Sequence, residues 1–236
     1  MTRRQVSTML PPSLRVRLGL IGGLAALVVL VLGVVYAGDG QPGRVDGRVW
    51  SALEGVGPLW RRVALTMDFL GDPAGSAMLV VAVVTGCLLL LRSPRAAVLV
   101  VAGVALTVGT TTLLKHVVGR TIHGDDNLAY PSGHTAFATA LALVVALLAT
   151  GRLGLGGTAG TSLVLGAALV AGAAMGWAQV VLGSHYPTDA LGGWCTALVV
   201  IPATAWLVDR TADRLSERSA DRLEDRMSGA GRRGRP

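Results

Sequence analysis

Charge is scarce in this chain: 15% of its 236 residues are Asp, Glu, Lys or Arg, against roughly a quarter in soluble domains. With 52% hydrophobic residues, that shortage excludes a disordered chain and an ordinary soluble domain. Cysteine is scarcer still, and the two present, Cys87 and Cys195, sit inside long apolar runs. That placement excludes a disulfide framework and reads as two small buried hydrophobes. Lysine is nearly absent, Lys115 standing alone among 21 basic residues. The four histidines, His116, His123, His134 and His185, all lie between the middle of the chain and residue 185.

What the chain does have is apolar length. A bilayer core of about 30 Å takes about 20 predominantly apolar residues in a helix. Six stretches qualify, at 16–37, 74–91, 95–115, 133–150, 159–182 and 188–208. The first is preceded by Arg3, Arg4, Arg15 and Arg17, as in a signal peptide, but its apolar run is longer than such a segment needs and five spans follow, so it reads as an uncleaved anchor. The expected fold is all-α: a six-helix integral membrane bundle over 16–208, with a short N-terminal segment, 1–15, and a charged tail, 209–236.

Cytoplasmic loops are enriched in Lys and Arg. Placing the N-terminus inside puts 15 of the 21 basic residues on the inner side, so both termini are expected in the cytoplasm. The formal charge of +7 comes mainly from these inner loops and the tail; topology and anionic lipid account for it without a nucleic-acid partner. The sparing use of Lys and the richness in Ala, Gly and Val suit, by composition only, a GC-rich bacterial genome; with the six spans, the expected place is the bacterial cytoplasmic membrane, as a multi-pass protein. In the tail, Arg210, Arg214, Arg218, Arg222 and Arg226 recur every four residues among acids, the pattern of a solvated helix laced with weak ion pairs.

The longest connection, about 38–73, is outer. Val45, Val49, Trp50, Leu53 and Val56 fall at helical spacing and Trp60 follows, which fits a short amphipathic helix on the outer leaflet as well as a loop with interfacial Trp residues. Asp68 and Asp72 in this connection are within reach of a site, but solvated loop acids are the reading preferred for them.

Ionisable groups within or at the ends of membrane helices are costly, and by default they mark function. In this topology Lys115, His116, Arg120, His123, His134, His185 and Asp189 gather at the outer ends of the last four spans. The segment Ala129-Tyr130-Pro131-Ser132-Gly133-His134 reads as a helix start with Ser132 as N-cap and a glycine that admits a ligand close to backbone N–H groups, an anion site. In Gly183-Ser184-His185-Tyr186-Pro187-Thr188-Asp189, a carboxylate follows the histidine by four residues, the usual way to orient an imidazole as nucleophile or base. His116 faces another side of its helix from Lys115 and reads as structural. Asp125, Asp126 and Asn127 read as loop solvation. No Cys or acidic set has metal-ligand spacing, so neither metal nor cofactor is expected.

KHVVGR at 115–120, PSGH at 131–134 and HYPTD at 185–189, followed by Gly192-Gly193, resemble the three signature motifs of the type 2 phosphatidic acid phosphatase (PAP2) superfamily. The resemblance runs from the third span to the sixth and implies a metal-independent lipid phosphate or diphosphate hydrolase. By that analogy His185 attacks phosphorus to give a phosphohistidine, Asp189 orients it, and His134 protonates the leaving group. Lys115 and the N–H groups of Ser132 and Gly133 would hold the phosphoryl oxygens.

Two departures stand out. Where the family's first motif carries Arg-Pro, this chain has Ile122-His123, and where the third carries Ser-Arg, it has Ala178-Gln179. Arg120, His123 and Gln179 are the expected substitutes as phosphate ligands. The implied partners are the bilayer and a lipid phosphate, polyprenyl phosphate first and phosphatidic acid or phosphatidylglycerol phosphate second, at a site facing outward. The alternative is a catalytically degenerate member that binds or transports lipid. Gly172 and Gly176 fit a homo-oligomer interface, although close packing within the bundle is the commoner use of such pairs.

Overall fold

The computed structural model describes residues 8–124 and 126–233, with side chains through Ser219. The first seven residues of the N-terminal segment, Asp125, and the Arg222 and Arg226 side chains of the tail lie outside that description. Among the described residues there are eight helices and no strand: α1 (Pro12–Val35), α2 (Arg44–Leu53), α3 (Pro58–Gly71), α4 (Pro73–Leu89), α5 (Pro94–Val118), α6 (Gly133–Leu153), α7 (Gly157–Val181) and α8 (Pro187–Arg233). Five of them open on a proline, whose fixed φ and missing N–H suit the first helical position.

α1, α5, α6, α7 and the first part of α8 are each long and apolar enough to cross a membrane. The expected second span is different. α4 follows α3 at Asp72 with a bend of 66°, and only the pair together passes as one broken span. The Asp72-Pro73 junction explains the bend, because proline clashes with a helical residue before it and cannot continue the α3 ladder. The long connection at 38–73 is therefore mostly helix. α2 spans the expected amphipathic stretch, whereas Trp60 belongs to α3.

α6 packs against α5, α7, α8 and the bent arm, and α8 against α1, α5, α6 and α7. Leu99, Leu143, Val144, Leu147, Val164, Leu198 and Ile201 form the buried centre. α1 is peripheral, turning Leu14 and Leu18 inward and Leu20, Leu24 and Leu27 outward, as a helix apolar on all sides does against lipid. The small residues of α7 pack inside the bundle. A Cβ on Gly172 would stand 2.2 Å from the Trp194 ring, and one on Gly176 3.1 Å from Ala190. At the other end of the molecule the Asp209 carboxylate accepts the N–H groups of Met9 and Leu10 at 2.8 and 2.9 Å, which ties the start of the chain to α8.

Candidate functional site

The site lies where α5 ends, α6 and α8 begin and α7 ends. α5 stops at Gly119, whose φ of +64° a side chain would resist. The loop beyond folds back on itself through the Thr121–Leu128 bridge and the Ala129 N–H bond to the Arg120 carbonyl at 2.7 Å. Lys115, in the last turn of α5, donates to the Leu128 carbonyl at 2.7 Å and is held over this loop.

Ser132 is the N-cap of α6, its hydroxyl accepting from the Thr135 N–H. Its own N–H donates to the Asp189 carbonyl at 2.9 Å. The second and third motifs are therefore bonded directly, and the Ser132 N–H is not free for an anion, contrary to the expected oxyanion role. Among the described residues the Gly133 and His134 N–H groups carry no hydrogen bond, so the helix N-terminus offers these two. Gly193 lets α8 touch the start of α6: a Cβ there would lie 2.3 Å from the Ser132 carbonyl oxygen.

His185 is 7% exposed and stands with Nδ1 3.7 Å from Asp189 Oδ2. That is ion-pair range but not a hydrogen bond, and Nδ1 has no other partner. Burial therefore prevails and holds the His185 pKa below the ordinary histidine value, the Lys115 and His134 charges adding to it and Asp189 opposing. Asp189 itself is rigidly placed: Oδ2 accepts the Tyr186 N–H at 2.9 Å and Oδ1 accepts Arg120 at 2.6 Å.

His134 sits on the first turn of α6 against the α3–α4 bend. Its Nε2 is 3.3 Å from Asp72 Oδ1 and 3.6 Å from Asp68 Oδ1. Gly71 presses so close that a Cβ would come within 2.2 Å of the ring. Asp68 also accepts from the Gln179 amide at 2.7 Å. The two acids expected in solvent instead line the site, because the bend turns them inward.

Of the three expected substitutes for the missing arginines, two are occupied. Gln179 is buried and committed to Asp68. Arg120 is fully buried, paired with Asp46 and Asp189, and sandwiched between the Tyr36 and Tyr186 rings at 3.9 and 4.4 Å. This corrects its expected role as a phosphate ligand: with two carboxylates and two rings around it, the guanidinium has no route to the open site. His123 lies at the surface, bonded to the Gly183 carbonyl at 2.8 Å and tilted against Trp50. His116 is exposed and bonds only back to the Thr112 carbonyl.

An apolar cavity of about 540 Å³ lies between the bent arm and α6 and α7. Leu70, Phe137 and Met175 line it, within about a turn of Asp68, His134 and Gln179. A larger groove of about 920 Å³ runs between α5 and α8 near Arg95 and Ser219 and includes none of the site residues. Among the described residues no group of three or more His, Cys, Asp or Glu is arranged to hold a metal ion.

The family model of the PAP2 superfamily matches residues 96–213, half of the chain. The chain belongs to the PAP2 superfamily. Its fold is similar to the crystal structure of a transmembrane PAP2-type phosphatidylglycerolphosphate phosphatase from Bacillus subtilis, with a TM-score of 0.57 and 20% identity over 82% of this chain and 96% of that one. No curated protein matches the chain. The PAP2 match contains all three motif segments and leaves α1 to α4 outside. Asp46, Asp68, Gly71 and Asp72, which sequence reasoning missed or placed in solvent, all come from that unmatched part.

Proposed function

We propose that this PAP2 member hydrolyses a lipid-linked phosphate or diphosphate without a metal ion, through a phosphohistidine on His185. The observation that carries the reading is the placement of His185, buried with Asp189 behind Nδ1 and with Lys115 and His134 close enough to act on its charge. Nδ1 faces the carboxylate, which leaves Nε2 to attack phosphorus. The P–O bond to the leaving group breaks as the N–P bond forms, and His134 gives its proton to the departing oxygen. Lys115 and the Gly133 and His134 N–H groups stabilise the charge on the transferring oxygens. Water then cleaves the N–P bond, with His134 taking the proton. The 3.7 Å gap between His185 and Asp189 closes to a hydrogen bond as the imidazole becomes charged.

The apolar cavity beside His134 supports an amphiphilic substrate whose tail stays in the bilayer. Polyprenyl phosphate is the favoured class and phosphatidic acid or phosphatidylglycerol phosphate the second; the named activity of the similar solved structure supports the latter. The excess of basic residues in alternate loops supports cytoplasmic termini and a site that faces outward from a bacterial cytoplasmic membrane.

A second reading, a lipid-binding protein without turnover, is favoured by one observation. Gln179 and Ile122-His123 replace two arginines of the family pattern, and among the described residues Lys115 is the one lysine or arginine left at the anion site. Phosphate release by the purified protein, assayed with polyprenyl phosphate, phosphatidic acid and phosphatidylglycerol phosphate, separates the two. Release that His185→Ala abolishes supports the phosphatase; lipid binding with no release from any of the three supports the alternative.

A further inference from the structure

Asp46 lies on α2, outside the three motifs and outside the matched family segment, yet its side chain is fully buried. Its Oδ2 accepts from Arg120 at 2.8 Å, from the Thr188 hydroxyl at 2.9 Å and from the Gly43 N–H at 3.2 Å. Its Oδ1 accepts the Thr188 N–H at 2.9 Å. Thr188 is the second residue of α8, so a carboxylate from α2 satisfies one of the orphan donors of the helix that carries Asp189. Arg120 stands between the two acids, giving one nitrogen to Thr188 and Asp189 and the other to Asp46. One guanidinium charge therefore serves two carboxylates, none of the three exposed.

We propose that Asp46 is a positioning residue for His185: it fixes the start of α8 and shares the Arg120 charge, so that Asp189 keeps enough negative character to orient and stabilise the His185 ring. Without Asp46 the guanidinium would be neutralised by Asp189 alone, and Asp189 would act more weakly on the imidazole. The other charged groups facing His185 are Lys115 from α5 and His134 from α6, the latter backed by Asp68 and Asp72 on the bent arm. Asp46→Asn leaves all of these in place. The mechanistic half of the proposal rests on His185 as the nucleophile; the electrostatic half does not.

The test is a nuclear magnetic resonance titration of labelled histidine in the full-length protein in detergent, with His185 assigned by His185→Gln. Asp46→Asn is expected to lower the His185 midpoint by about half a pH unit or more. Asp46→Asn combined with Arg120→Gln is expected to raise it above wild type, because the positive charge bonded directly to Asp189 is lost as well. The single variant keeps the buried Arg120–Asp189 pair and strands no charge, so it carries the test by itself if the double variant, which takes the cation from Asp189, does not fold. In parallel, Asp46→Asn is expected to lower kcat at least about tenfold with KM within about twofold. An unchanged His185 midpoint in the single variant, or a double variant at or below wild type, overturns the proposal. If the wild-type protein releases no phosphate, the phosphatase reading fails, and the titration still decides the role of Asp46.

Discussion

Gln179 donates from its side-chain amide to Asp68 at 2.7 Å, which joins α7 to the bent arm of α3 and α4 beside His134. At this position the family pattern carries a phosphate-binding arginine. Here the side chain bonds an acid that faces His134, the proposed proton donor, and is not free to contact an anion.

Gln179→Leu keeps the volume and removes that bond. Turnover is expected to fall about tenfold, equivalent to about 1.4 kcal/mol and typical of one hydrogen bond to a charged group. Steady-state rates at saturating lipid check it; an unchanged kcat means that the Asp68 contact has no bearing on His134.

Gly71→Ala places a Cβ 2.2 Å from His134 Cδ2. The ring must move, because the alternative is to shift the backbone at the bend. The variant is expected to lose at least about tenfold in kcat while losing about 1–3 kcal/mol of stability, the range for overpacking. Full activity would place the productive His134 position away from the bend.

Burial depresses the His185 pKa, and the sign of the consequence is definite. The neutral, nucleophilic ring persists at neutral pH, so the acid limb of kcat/KM is expected below about 6.5, the ordinary histidine value. The same linkage applies to stability: the contribution of neutral His185 is complete above about 6.5 and is lost as pH falls toward the depressed folded value. A pH–rate profile with its acid limb at or above that value would contradict the burial argument.

The orientation is checked by cysteine labelling on intact cells. Cys87 and Cys195 are buried and give little background. An impermeant maleimide added outside is expected to label Asp126→Cys and to miss Ser216→Cys. The reverse pattern would turn the site inward.

The spans were legible because the membrane imposes a composition that no soluble helix needs, and the three motifs were legible because their residues are close in sequence. α3 was not legible as part of a span. Arg61, Arg62 and Asp68 break its apolar pattern, and the pairing with α4 depends on a bend. Asp46 carried no local signal: it reads as one more acid in an amphipathic segment, and its partners Arg120 and Thr188 are 74 and 142 residues away. Arg120 was legible as important but not in kind, since a buried arginine between two rings and a phosphate-binding arginine look alike in a sequence.

The central claim is that His185 Nε2 takes the phosphoryl group. Rapid quenching of the enzyme with a lipid phosphate labelled in its phosphoryl group tests it most directly. The account predicts a labelled protein whose linkage is acid-labile and base-stable, as a phosphohistidine is, mapping to His185 and absent in His185→Ala. Phosphate release without any such adduct, or an adduct on another residue, would contradict it.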